Sequence, residues 1–399
     1  MAAARTQDSA DWQEDLLAFL VAPVDGDTFL RDYYEKMPLL NSAGDRGRFS
    51  SLLSIDRLDE FLAGADLRDG MLDLARHGDP VARGDYVDEE GRIRPAAVAR
   101  EYGRGATLVL PQLHESIFGL GEFVRAVEEL FSCQVTSNIY LTPPGNQGFP
   151  PHYDNHDVFV LQVSGGKLWR LYETSADTPY RGERFEQSGM EPGAVAQEFR
   201  LGPGDCAYLP RGVMHDAENI GDEPSLHITV GLFTRKWADL VLEAVSELAL
   251  AEPDFRRSLP PGFAASGFDR EVARAHFDNL IDLVAEKAEM DGAFDLLADS
   301  FIRARKPNVS GVLSAGPPIA RAGERYRRRR FVAWNVADDE GRIVLIGPGG
   351  DLAFDGAAGP ALDVALSGEP FALEDLGCGA PEEMVRTLWA HGFIERVGA

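Results

Sequence analysis

The sequence predicts a mixed α+β protein in which a β-sandwich or barrel is followed by amphipathic helices and a small winged-helix-like module. Short apolar runs punctuated by Gly and Pro extend from residue 106 to about 231, which is typical of an all-β unit. After residue 236 the apolar residues recur at helical spacing instead. The 399 residues are enough for two or three domains of roughly 100–200 residues each.

Composition and charge narrow the class of protein. Hydrophobic residues make up 44% and charged residues 26% of the chain, as in proteins that fold around a core. The 65 Asp and Glu outnumber the 39 Lys and Arg, and the resulting net charge of −26 repels nucleic acid and anionic lipid. Three widely separated cysteines fit neither a disulfide framework nor a Cys-based zinc site. We therefore expect a cytoplasmic protein without a membrane span and without specific DNA binding.

The N-terminal part, residues 1–105, is predicted to be a helical lead-in to the barrel, because apolar side chains recur at helical spacing from Trp12 to Leu39. The barrel itself is predicted over residues 106–235. Its runs 157–163 and 167–172 are joined by Ser164, Gly165 and Gly166, which we interpret as a β-hairpin at the barrel's centre. The strands predicted in this part are 107–109, 137–141, 158–163, 168–172, 206–209 and 226–230.

Two apolar stripes follow, at Trp237–Leu248 and Ala273–Ala288, and we assign residues 236–315 to a helical region. These stripes need a surface to cover them, either the barrel or a second copy of the chain. Residues 316–399 combine strands and helices in the layout of a winged-helix-like module. The six arginines between Arg321 and Arg330 at its start either contact RNA or an acidic partner, or form ion pairs with the chain's own surplus of carboxylates.

The candidate metal site is His152 and Asp154, with His215 from a later strand. In an extended strand, residues two apart point to the same face, so the imidazole of His152 and the carboxylate of Asp154 can meet at one point. Two His and one carboxylate form the facial triad of non-haem Fe(II) oxygenases, which leaves metal positions open on one side. The spacing alone is a weak signal, because His and Asp lie two apart by chance in many proteins.

Other polar residues have competing interpretations. Lys167 either lies inside the barrel, where it needs an anionic partner, or points to solvent from a hairpin. Asn138 either hydrogen-bonds a cosubstrate or serves as a cap or core amide. His156 lies four residues after His152 in an extended segment and is not expected to be a ligand. His227 alternates with apolar neighbours, so a structural or supporting role inside the barrel is the preferred interpretation.

Several motifs together resemble the ribosomal oxygenases, which are JmjC-type, cupin-like hydroxylases dependent on Fe(II) and 2-oxoglutarate. The resemblance implies a double-stranded β-helix barrel, a helical dimerisation region and a C-terminal winged helix. It also implies that His152, Asp154 and His215 bind iron, that Lys167 binds the distal carboxylate of 2-oxoglutarate, and that Asn138 and Tyr140 line the pocket. The motifs that carry it are 34–40, 137–144, 151–154, 166–172, 202–205 with His215, and 225–229.

The function that the resemblance implies is hydroxylation of a histidine or arginine side chain, with dioxygen as oxidant, on a basic and ribosomal protein. A lysine at position 167, where some members of the family have arginine, favours histidine slightly. Two alternatives stay open: a peptide or natural-product hydroxylase of the same chemistry, and a non-catalytic cupin that binds a metal. We also expect a homodimer.

Overall fold

The computed structural model of the chain describes residues 11–42, 44–180, 182–183, 185, 189–315 and 323–397. It divides the chain into two compact units, residues 1–234 and 235–399. The first unit is built on two antiparallel sheets, one of seven strands in the order β1-β8-β5-β10-β4-β3-β2 and one of three strands in the order β7-β6-β9. Their strands are β1 Leu39–Ser42, β2 Asp73–Ala75, β3 Thr107–Pro111, β4 Gln134–Thr142, β5 Asp157–Ser164, β6 Lys167–Ser175, β7 Val195–Leu201, β8 Asp205–Leu209, β9 Val213–Glu218 and β10 Ser225–Phe233.

Both faces of the seven-stranded sheet are apolar, which explains why its central strands have nearly continuous apolar runs. Phe159 and Leu161 of β5 and Ile228 of β10 point outward into the larger hydrophobic core, which they share with the N-terminal helices. Val158 and Val160 point the other way, into a second core with Trp169 and Leu171 of β6 and with residues of β7 and β8. The space between the two sheets is therefore the interior of the barrel.

The predicted β5–β6 hairpin is wrong, although both strands exist. β5 pairs with β8 and β10, whereas β6 pairs with β7 and β9, so the chain crosses from one sheet to the other at Gly165 and Gly166. Gly165 has a φ of +60° and lies against the Pro224 carbonyl, where a side chain has no room. A short glycine-containing turn can connect two strands of different sheets as well as two paired strands of a hairpin. The turn residues alone therefore do not distinguish the two connections.

The N-terminal segment is less helical than predicted. Helix α1 covers Leu16–Val21, and short helical turns follow at Gly26–Thr28 and Phe29–Tyr33. Residues 34–38 form no helix, and Leu39 begins β1, which pairs with β8 at the edge of the large sheet, so the helical interpretation fails from residue 34 onward. The other helices of this unit are α2 Ile55–Gly64, α3 Pro95–Gly103 and α4 Phe118–Phe131.

The second unit starts with three helices, α5 Trp237–Ala251, α6 Glu271–Lys287 and α7 Met290–Arg303. Helices α5 and α6 match the two predicted apolar stripes, and α7 lies in the predicted helical region but beyond both stripes. Its C-terminal part contains helices α8 Gly359–Leu366 and α9 Pro381–Ala390 around a core with Tyr326 and Trp389. The strands here are β11 Tyr326–Arg328, β12 Asn335–Asp339, β13 Arg342–Gly347, β14 Gly350–Asp355 and β15 Ile394–Arg396.

This part differs in detail from the strands that the apolar pattern predicts, residues 331–336 and 342–346, because β12 begins only at Asn335 and β14 was not predicted. In the arginine run, Arg327 and Arg329 form ion pairs with Glu395, in agreement with the within-chain interpretation. Arg321 lies outside the described residues. Within the described part of the chain, every helix is too short or too polar to cross a bilayer.

Candidate active site

The candidate site is a cavity of about 640 Å³ between the two sheets of the first unit. This volume is within the range of about 300–1,000 Å³ that is usual for small-molecule sites. His152, Asp154 and His215 line it together with Lys167, so the predicted metal ligands and the predicted cosubstrate anchor share one space. Tyr140 and His227 also line it, from neighbouring strands β4 and β10.

The three predicted ligands meet because backbone hydrogen bonds join distant parts of the chain. The amide of His152 donates to the carbonyl of His215 at 3.0 Å, and the amide of His215 donates back to His152 at 2.7 Å. Residues paired in this way have side chains on the same face. The Asp154 carbonyl accepts from the amide of Gly212 at 2.8 Å, which holds the third residue against the same strand. One ligand atom from each side chain then lies within 4.8 Å of the others.

Both histidines of this cluster are held in the same tautomer. Nδ1 of His152 lies 2.9 Å from the carbonyl of Pro150, and Nδ1 of His215 lies 2.8 Å from the carbonyl of Val213. A carbonyl oxygen accepts only, so each Nδ1 carries the proton and each Nε2 keeps its lone pair. Nε2 of His215 lies 4.0 Å from the Asp154 carboxylate. The cluster thus presents two nitrogen lone pairs and one carboxylate, which are suitable ligands for Fe(II).

The charges within the cluster favour metal binding. Burial, followed by the neighbouring His152, lowers the pKa of His215 to about 4, so this imidazole is neutral near pH 7. Burial disfavours the charged form of Asp154, but the imidazoles of His156, His215 and His152 outweigh burial and lower its pKa. A neutral imidazole and an ionised carboxylate are the forms in which these groups bind a metal ion.

Gly212 is required for the position of Asp154, and its replacement gives a first prediction. Its φ is +86°, and a Cβ would overlap the carbonyl of Ala176. We expect Gly212→Ala to lower the free energy of unfolding by about 3 kcal/mol and to weaken metal binding. Gly262→Ala is the matched control, since Gly262 has a φ of +81° but open space around it. Urea unfolding of both variants measures the difference, and equal losses would contradict the predicted overlap.

The other end of the cavity is a buried cationic site. Lys167 opens β6 and shares its inner face with Trp169, with only 5% of its surface exposed. Among the residues that the structure describes, Lys167 has neither an ion-pair nor a hydrogen-bond partner. Burial lowers its pKa to about 7. Of the two interpretations that the sequence left open, the structure therefore supports the inward-facing lysine, and a buried lysine needs an anion.

Two further nitrogens at this end are buried without a hydrogen-bond partner, within the described part of the chain. They are Nδ1 of His227 and Nε1 of Trp169, whose rings meet edge to face at 5.8 Å. Burial and then the charge of Lys167 hold the pKa of His227 well below its usual value. The sequence placed His227 inside the barrel, but Trp169 was not considered. Its position two residues after Lys167 on the same strand is the signal that identifies it.

Tyr140 and Asn138 occupy neighbouring positions on β4. The ring of Tyr140 stacks on His227, with centroids 4.8 Å apart and planes 7° apart, and it lines the cavity. Asn138 is not among the residues that line this cavity, contrary to what the resemblance implies, but it hydrogen-bonds to the Tyr140 hydroxyl. Burial and the charge of Asp154 raise the pKa of Tyr140, so its hydroxyl keeps its proton. Asn138 is thus placed to orient Tyr140.

Comparison with known proteins identifies the family. A family model of the JmjC domain matches residues 112–240, which include all three clustered residues and Lys167. Ribosomal oxygenase 1 from Gallus gallus is 34% identical over 322 residues, which are 76% of this chain and 53% of that protein. The histidyl-hydroxylase and lysine-specific demethylase NO66 from Drosophila persimilis is 32% identical over 82% of this chain and 48% of its own length. The chain belongs to the JmjC-type ribosomal oxygenase family.

This chain spans about half the length of the curated relatives it matches. It matches the whole of a shorter solved structure, the ribosomal oxygenase YcfD from Escherichia coli in complex with cobalt and 2-oxoglutarate. That match covers 94% of this chain and 99% of YcfD, with 18% identity and a TM-score of 0.54. At such low identity the likeness shows the fold, so the predicted barrel of the JmjC and cupin type is confirmed.

The residues of this chain fit the metal and the cosubstrate of that family. Fe(II) binds imidazole nitrogens and carboxylate oxygens. The cluster offers two imidazoles and one carboxylate, and backbone hydrogen bonds already fix the tautomers of both histidines. 2-Oxoglutarate carries a second carboxylate away from its chelating end. The buried Lys167, with the unpartnered nitrogens of His227 and Trp169, forms a site for an anion in the same cavity.

Proposed function

We propose that the chain is an Fe(II)- and 2-oxoglutarate-dependent oxygenase that hydroxylates a histidine or arginine side chain of a ribosomal protein. The observation that carries this proposal is the shared cavity: a 2-His-1-carboxylate cluster and a buried, unpaired lysine line the same space. A metal-binding protein without catalysis has no need for a buried lysine beyond the metal, because the lysine costs free energy until an anion enters.

Each residue of the cavity has a role in this proposal. His152, Asp154 and His215 would hold Fe(II) at the wall of the cavity, where their ligand atoms lie together. Lys167 anchors the distal carboxylate of 2-oxoglutarate, with His227 and Trp169 as further donors. Asn138 fixes the Tyr140 hydroxyl beside it. When bound, Fe(II) couples the oxidative decarboxylation of 2-oxoglutarate to succinate with insertion of one oxygen atom into a C–H bond of the substrate.

The substrate class rests on the relatives and on charge. The relatives include proteins named ribosomal oxygenase and histidyl-hydroxylase. Ribosomal proteins are basic. A net charge of −26 on this chain raises the association rate with a basic partner, and the increase becomes smaller as the salt concentration rises. The three cysteines are free thiols, which suits the cytoplasm.

Mass spectrometry tests the proposal. Ribosomal proteins from cells that lack this gene are incubated with the enzyme, Fe(II), 2-oxoglutarate and dioxygen. We expect succinate to form and one protein to gain about 16 Da, the mass of one oxygen atom in this chemistry. Succinate formation without a modified ribosomal protein favours a peptide or natural-product substrate instead. If neither succinate nor a modified protein forms, the chain is a metal-binding cupin.

The chain's domains follow the family in this proposal: residues 1–105 lead into the catalytic barrel at 106–235, residues 236–315 form a helical dimerisation region, and residues 316–399 form a winged-helix-like domain. The support for a homodimer is the surface of α6, all of whose residues are described and none buried. Phe277 and Ile281 lie four residues apart on it and are 61% and 52% exposed. Apolar side chains exposed together in this way mark an interaction surface.

We therefore expect the chain to form a homodimer. The double substitution Phe277→Glu and Ile281→Glu is expected to raise the dissociation constant of this dimer at least about 100-fold. The same change at Leu280 and Val284, which belong to the predicted apolar stripe Ala273–Ala288, is less clean because both side chains are half-buried within the chain. Light scattering at micromolar concentration gives the mass, and circular dichroism checks the helices. Asn279→Glu, on the same helix, is the control. A wild-type monomer, or a folded double variant that stays dimeric, rules out this interface.

A further inference from the structure

His156 forms a part of the cavity wall that the proposed iron and cosubstrate sites do not use. Its ring stacks on Phe233, with centroids 4.5 Å apart and planes 14° apart. The ring's Cδ2 and Nε2 edge lies against Gly231, where an added Cβ would be 2.6 Å from Cδ2 and 2.7 Å from Nε2. Stacking on one face and a glycine against one edge hold this imidazole in one orientation.

The opposite edge of the ring carries Nδ1, which is buried and has no hydrogen-bond partner among the described residues. A buried polar nitrogen without a partner costs free energy, so an apolar side chain would fill the space between Phe233 and Gly231 at lower cost. His156 is not a member of the ligand cluster, although it lines the same cavity. Its partner is therefore expected to be a molecule that enters the cavity.

The position of His156 distinguishes substrate from cosubstrate. Lys167, at the cosubstrate end, is 5% exposed, whereas Phe233 beside His156 is 42% exposed while it also lines the cavity. His156 is itself half-buried and not fully enclosed, so this part of the cavity wall reaches the protein surface, where a side chain of a protein substrate can enter. His156 also lies near the metal-binding cluster, since its imidazole acts on the Asp154 carboxylate and lowers that group's pKa.

We infer that Nδ1 of His156 hydrogen-bonds the substrate side chain that is hydroxylated, and that His156 thereby selects a planar, nitrogen-bearing side chain over an apolar one. This inference rests on the proposed function. An imidazole nitrogen can donate or accept according to its tautomer, so it can pair with the imidazole of a histidine or with an N–H of an arginine guanidinium. A site built to hydrogen-bond its substrate discriminates strongly against analogues without the matching group.

Two variants of nearly equal shape test the inference. His156→Asn keeps a polar group near the position of Nδ1, whereas His156→Leu removes it. The substrate pool is intact protein from cells that lack this gene, and mass spectrometry locates the residue that gains one oxygen atom. A peptide that spans this residue then serves for kinetics with the wild type and both variants. Cobalt(II) titration and the KM for 2-oxoglutarate are measured for each, so that damage to the iron site is recognised.

We expect the modified residue to be histidine or arginine, and we expect His156→Leu to raise the KM for the peptide at least tenfold while His156→Asn recovers most of this loss. Equal behaviour of Asn and Leu overturns the inference, as does a modified residue with an aliphatic side chain. If the variants lose cobalt affinity in proportion to their rise in KM, His156 supports the iron site and does not bind the substrate. If the wild type forms neither succinate nor a modified protein, the proposed function fails, and the inference fails with it.

Discussion

We expect Asp154→Ala to abolish the proposed hydroxylation and to lower metal affinity at least about 100-fold, which is more than the loss typical of a group that only supports a ligand. Asp154 contributes the only carboxylate of the described ligand cluster. Without it, two imidazoles remain, and their lone pairs alone neither balance the metal's charge nor define three positions around it. His152→Ala has the same effect for a different reason, because it removes one of the two nitrogens whose tautomer the backbone sets.

Anaerobic calorimetry with Fe(II), and with cobalt(II) as a stable substitute, measures this change. We expect one metal ion per chain in the wild type. The fold survives the substitutions, with a change in unfolding free energy within about 1 kcal/mol, because the barrel is formed by strand pairing and apolar packing rather than by the metal. His391→Ala, at an exposed histidine of the second unit, is the control. Unchanged metal affinity in both Asp154→Ala and His152→Ala excludes this cluster as the metal site.

Alternating and continuous apolar runs made the central strands predictable, because β5 and β10 bury both of their faces. Strands at the margins were missed for the opposite reason. β7 is mostly exposed, and only its last residue, Leu201, is buried, so its sequence carries little apolar pattern. β1 and β2 are short, and a short apolar run does not distinguish strand from helix.

The metal cluster was predictable in composition but not in the way it is assembled. The i, i+2 argument assumed that His152 and Asp154 share a regular strand, yet only His152 is paired, through an isolated bridge to His215. Asp154 is held by the amide of Gly212 instead. Such contacts join residues about sixty positions apart, and no local pattern reports them. The burial of Lys167 depends in the same way on the pairing of β6 with β7 and β9.

We expect Lys167→Ala to raise the KM for 2-oxoglutarate at least about 100-fold, since a charge-assisted hydrogen bond in a buried site has no substitute from water. Lys167→Arg is partly tolerated if the cavity accepts the wider, planar head group. The KM for the protein substrate, measured at saturating 2-oxoglutarate, is expected to change far less. An unchanged KM for 2-oxoglutarate in Lys167→Ala means that another group anchors the cosubstrate.

The pKa of Lys167 adds a pH dependence that the arginine variant lacks. Burial lowers this pKa to about 7, and a bound carboxylate raises it again, because an opposite charge favours the ammonium form. Below pH 7 the lysine is already charged before 2-oxoglutarate binds. Above pH 7 it must first take up a proton, so the KM for 2-oxoglutarate is expected to rise with pH, toward about tenfold per unit.

Arginine stays charged throughout this range, so the KM of Lys167→Arg is expected to be higher than that of the wild type at low pH but nearly independent of pH. Kinetics between pH 6.5 and 9 compare the two proteins, with metal occupancy checked at each pH. Calorimetry in two buffers of different ionisation enthalpy counts the protons taken up on binding. A lysine can exchange a proton at this position, whereas an arginine cannot. If the wild-type KM depends on pH as little as the KM of the arginine variant, Lys167 is not neutral in the free enzyme.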